Sequence, residues 1–216
     1  MPNVSLWKSV NVDVESTAAA AVTIVGISKT DPAVVSFNGS LPSDGAYVRI
    51  NATGMSQVDG RVFRVANGAS GSPDTFELEG CDATGFDTFS AGDFEVITFG
   101  YSMTTATGLQ ASGGDFDFID ITTIHDNIRK QIPGVASPAV YSFENLWDVT
   151  DAALVGFKDA ADNQALSAVR FTFANGQKVV FNGYIGATLL PVGNAQDKVT
   201  TSVVITMFGR PTVYSS

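Results

Sequence analysis

The sequence predicts a mainly β protein: a sandwich or barrel with one or two short helices and a small β-module set into it. Three observations carry this. Short runs of Thr, Val, Ile and Phe alternate with turns rich in Gly, Asp and Asn along all 216 residues. Hydrophobic residues make up 44% and charged residues only 16%, ample for a large core. Two alternating runs in VRFTFANGQKVVFNGYIG, residues 169–186, meet at Asn175-Gly176, a strong hairpin signal.

Taken in chain order, VNVDVE at 10–15 alternates strictly, with Val10, Val12 and Val14 on one face and Asn11, Asp13 and Glu15 on the other. It reads as a half-buried strand. A second strand is expected over Val22 to Ile27. Residues 31–97 then change texture: closely spaced turns separate short strands at 46–50, 61–65 and 75–78. This stretch holds three arginines against ten acidic residues, most of the chain's formal charge of −10. It reads as a compact acidic module inserted into a core of residues 1–30 and 98–216, facing outwards, because insertions are tolerated at exposed loops.

Thr123 with Asp126 three residues on forms a capping-box pattern, and Ile124, Ile128 and Ile132 recur every four residues. A short helix closed by Pro133-Gly134 is expected there, with His125 on it. A second helix is expected from Thr150, with Leu154, Phe157 and Ala161 on one face.

In the 169–186 hairpin, burial chooses the register. A three-residue loop sets Phe173 opposite Gln177, Phe171 opposite Val179 and Val169 opposite Phe181, gathering the apolar residues on one face. Gly176 then takes positive φ. The closing run, 198–208, is apolar or neutral on both faces and is expected to be covered on both.

Function classes fall away in turn. The acidic balance argues against gripping nucleic-acid phosphates. The only cysteine, Cys81, allows no internal disulfide and reads as a packing residue. The first residues carry no secretory pattern, which points to a chain made in a reducing cytoplasm, where the sequons at Asn3, Asn38 and Asn51 are chance matches. His125 is the single histidine and has no nucleophile motif near it. The Asp115/Asp117 pair alternates with Phe116 and Phe118, as strand patterning requires. The aspartates at 82, 87 and 93 match no calcium loop. No catalytic residue, metal or cofactor is expected.

Two stretches together resemble the tail tube (major tail) proteins of long, flexible-tailed bacteriophages: FDFIDITTIHDNIRKQIPG at 116–134, and VRFTFANGQKVVFNGYIGATLLPVG with KVTTSVVITMFGRPTVY at 169–214. The resemblance implies a structural virion protein. It would form homohexameric rings that stack into a tube passing genomic DNA without specific binding, assembled in the host cytoplasm with tape measure and tail terminator or baseplate proteins as partners. Lumen candidates are Asn11, Asp13, Glu15, Asp115 and Asp117. Inter-subunit candidates are Phe171, Phe173, Gly176, Val179 and Phe181 of the hairpin, and Ile124, His125, Ile128 and Ile132 of the first helix. The alternative is an adhesin whose acidic module contacts a host surface.

Overall fold

A computed structural model describes residues 10–215. Twelve of its strands form one sheet, and two more form a separate hairpin. The first half of the chain rolls into a closed six-stranded barrel. It comprises β2 (Val22–Ile27), β3 (Ala33–Phe37), β6 (Asp74–Leu78), β5 (Arg61–Ala69), β4 (Tyr47–Thr53) and the start of β7 (Ala91–Met103). Val22 pairs with Phe94 and closes the ring. Closure removes the strand edges, so short turn-rich strands form a stable unit. Phe37, Phe76 and Phe94 fill it, with ring centroids 5.0 to 5.4 Å apart. Cys81 is buried among these apolar residues. The module expected at 31–97 therefore also requires β2 to close.

β7 is long enough to serve two bodies. Its first half belongs to the barrel, and residues 97–103 pair with β1 (Asn11–Ala18). From β1 the sheet continues through β12 (Leu166–Thr172), β13 (Lys178–Ala187), β14 (Thr200–Tyr214), β11 (Val140–Leu146) and β8 (Ala106–Ser112). It curls so that Tyr141 of β11 reaches Phe171 and Phe181, strands away in the order, at 5.4 and 5.2 Å between rings. Chain exit and return coincide: Ala18 stands opposite Ile97 across the β1–β7 ladder.

The expected second helix is α1 (Ala152–Asp162), capped by Asp151, whose carboxylate accepts from the Ala153 and Leu154 N–H groups. Leu154 and Phe157 are fully buried against the curled sheet. Gly156 lies where a side chain would strike Tyr101, which explains a residue that is otherwise unfavourable in a helix.

The expected first helix is absent. Residues 113–139 instead form an arm built on β9 (Phe116–Asp120) and β10 (Gln131–Ala136). The capping signal survives as a single turn: Asp126 accepts from the Thr123 N–H and hydroxyl, and the Asp126 N–H donates to the Thr123 carbonyl. A helix of two and a half turns needs a packing surface. Nothing offers one here: Ile124 is 96% and Ile128 78% exposed.

Candidate assembly surfaces

Residues 12–14 of β1 are buried on both faces of the strand. Val12 and Val14 enter the core beneath α1. The opposite face is sealed by ion pairs rather than water. Asp13, 8% exposed, accepts from both Arg170 Nε and Nη2, at 3.0 and 2.8 Å, and from the Ser102 hydroxyl. Glu15 accepts from Arg49 Nη1 at 3.1 Å and from the Ala168 N–H at 2.7 Å. Arg49 also binds Glu95. Asp13 and Glu15 are therefore internal groups in the seam between barrel and sheet, not free charges for a lumen. Asn11, Asp115 and Asp117 keep exposed side chains.

More of the seam comes from the far end of the chain. Asn182, fully buried, donates to the Gly60 carbonyl at 2.7 Å, and the Thr212 hydroxyl donates to the Val62 carbonyl at 2.9 Å. The Tyr214 hydroxyl accepts from the Arg64 N–H at 2.6 Å. Burial raises the Tyr214 pKa above the ordinary phenol range. Arg64 in turn holds the Glu79 carboxyl below its ordinary value through a side-chain hydrogen bond. Barrel and sheet are thus joined by side chains far apart in sequence.

The 169–186 hairpin has the expected register: Val169 faces Phe181, Phe171 faces Val179, and Phe173 donates its N–H to the Gln177 carbonyl. Gly176 sits at φ 86°. Its apolar face, however, is hidden by the chain's own β11 and α1. Phe171 and Phe181 are core residues, while Phe173 and Val179 are partly buried at its margin. Phe171 and Phe181, named as inter-subunit candidates, are thus covered within the chain. β14 departs in the other direction. Val203, Ile205 and Met207 are buried, but Val204 and Phe208 on the opposite face are 39% and 41% exposed, because the barrel covers only the end of the strand.

Unfinished surface lies elsewhere. Among the described residues β8 forms the outer edge of the sheet and pairs only with β11. Its sequence, ATGLQAS, has no charge and no proline, the usual protections of an edge. On the far side of the same curled sheet, residues 98–103 of β7 pair, among the described residues, with β1 alone. Sequence reading missed β8 as an edge; its lack of gatekeeper residues was the available signal.

The arm is the second unfinished surface. β9 and β10 pair with each other, and among the described residues no other element packs substantially on them. Phe118 is 63% and Val135 85% exposed. Ile124, Ile128, Ile132 and His125 are all exposed on it, His125 in the tip loop. The ladder of β8 and β11 runs on into the arm through bonds between Gly114, Asp115 and Ser137. Gly113 and Gly114 both take positive φ at the junction, and a side chain at Gly113 would collide with the Pro138 carbonyl. A monomer gains nothing from a long apolar hairpin held in water; such patches mark interaction sites.

A family model described as phage tail tube protein, TTP, matches residues 53–216. No curated protein matches the chain.

Proposed function

The chain belongs to the phage tail tube protein family, and from that premise we propose that its copies close into hexameric rings that stack into the tail tube and pass the genome through the lumen. Its role is structural, as a component of the virion tail. The observation that carries the finer reading is the bare β8 edge, with residues 98–103 of β7 presenting a second edge on the same sheet. An unlike pair of edges on one subunit suits head-to-tail association, which makes rings when the rotation closes.

Edge pairing satisfies backbone groups that a lone subunit leaves to water, and the exposed apolar arm adds contact area beyond the ring. Obligate interfaces bury on the order of 2,000 Å² or more. At ~25 cal/mol per Å² the gross apolar contribution is tens of kcal/mol before association costs. The formal charge of −10 suits a conduit: DNA carries about one charge per 1.7 Å and slides past a surface that does not bind it. Asn11, Asp115 and Asp117 remain the lumen candidates. The barrel, entered at Ala18 and left at Ile97, is read as an outward-facing insertion on the tube wall. Tape measure, terminator and baseplate proteins would meet the tube inside and at its ends.

Negative-stain microscopy of the purified protein at rising concentration tests this reading. Rings or striated tubes are expected. A chain that stays monomeric at millimolar concentration overturns it.

A further inference from the structure

Where barrel and sheet meet, a cleft of about 550 Å³ opens between β4 and β5 on one side and β12 and β13 on the other. Three cations line it, Arg64, Arg170 and Lys178, in a chain whose formal charge is −10. The carboxylates around it are already engaged. Glu79 pairs with Arg64, Asp13 takes Nε and Nη2 of Arg170, and Asp44 accepts the Gly68 N–H at 2.9 Å. At the rim, the Asn67 amide donates to Glu77 at 2.7 Å.

Three polar groups remain unengaged. Among the described residues, Lys178 is the one lysine or arginine short of full exposure that makes neither a hydrogen bond nor an ion pair. Arg170 Nη1 has no described acceptor once Nε and Nη2 are given to Asp13. Tyr47 forms the floor; it is 5% exposed, and its hydroxyl has no hydrogen-bond partner. The ring is held in place by Phe99, edge-on at 5.4 Å, and by the Arg170 guanidinium, 5.4 Å from its centroid. A buried hydroxyl left unpaired is costly, and such groups call for an explanation.

We propose that this cleft binds a phosphate group. An ammonium and a guanidinium only donate, so the ligand must bring acceptors and negative charge. A phenol donates or accepts, and towards such a ligand it donates. The three donors come from three strands, β4, β12 and β13. A tetrahedral oxyanion presents acceptors in that many directions, whereas a planar carboxylate does not. The volume lies in the range of small-molecule sites and leaves room for a small polar carrier beside the phosphate. The site lies within one copy and does not depend on assembly.

Calorimetric titration of the purified chain with inorganic phosphate, glucose 6-phosphate and glucose tests the site. Saturable binding of one equivalent of either phosphate compound is expected, and none of glucose. Tighter binding of the ester assigns a carried phosphate; equal or tighter binding of the inorganic ion assigns a free one. Lys178→Met keeps the side-chain stem and should weaken binding about tenfold or more, the loss expected for one charge-assisted hydrogen bond. Tyr47→Phe keeps the ring and removes only the unpaired hydroxyl. Without ligand it should melt at or above the parent's temperature, yet bind phosphate about tenfold more weakly. A parent chain with no saturable binding of either phosphate compound overturns the proposal, as does binding unchanged in both variants. Neither result touches the polymer reading.

Discussion

Gly60, in the loop that closes one end of the barrel, lies so near the ring of Phe208 on β14 that a β-carbon there would overlap it. Gly60 also holds φ 65° and accepts the Asn182 amide on its carbonyl. Gly60→Ala is expected to cost about 1–3 kcal/mol through the left-handed backbone, with a further steric loss until the Phe208 ring moves. Adding Phe208→Ala relieves the steric part only, so the two changes should not sum. Urea unfolding of both singles and the double measures the coupling.

Arg49 is as enclosed in the seam as Asp13, 8% exposed, and it bridges Glu15 and Glu95. Arg49→Met should destabilise by about 3–5 kcal/mol, because it strands two carboxylates in a place where water reaches poorly. Combining it with Glu15→Gln and Glu95→Gln should recover much of the loss. Denaturant midpoints of the single and triple variants decide.

Tyr214 predicts an alkaline limb of stability. Its folded-state pKa lies above the unfolded value near 10, so its contribution is complete below about pH 10 and is lost as pH rises towards the folded value. Tyr214→Phe should flatten that limb. At neutral pH it should cost about 1–3 kcal/mol by leaving the Arg64 N–H without its acceptor. Unfolding midpoints measured across pH 8 to 11 test the sign; the pH range is set by the ordinary phenol value of about 10.

The β8 edge can be closed without touching the core. Successive residues of an edge strand turn their N–H groups alternately towards the neighbour and outwards. Of Gln110→Pro and Ala111→Pro, one therefore removes only an outward donor. That variant should melt like the parent and form no rings in the microscope. Rings at the parent's concentration would exclude β8 from the ring contact.

Much of the local structure could be read from the chain. β2 falls where its apolar run lies, the Asn175-Gly176 turn has the expected loop length, and Leu154 and Phe157 mark the buried face of α1. These features depend on residues within a few positions of one another. The failures share a cause. Ile124, Ile128 and Ile132 have helical spacing, yet among the described residues no surface covers them, and spacing cannot supply one. Val204 looks like a core residue and lies on the uncovered part of a face.

The sequence by itself determined where strands begin and turn, because alternation and turn chemistry act over a few residues. Only the tertiary structure decided which faces are covered. Asp13 and Glu15 read as a solvated face until Arg170 and Arg49, 157 and 34 residues away, cover them. Burial is a property of what arrives opposite, and no local window of sequence contains that partner.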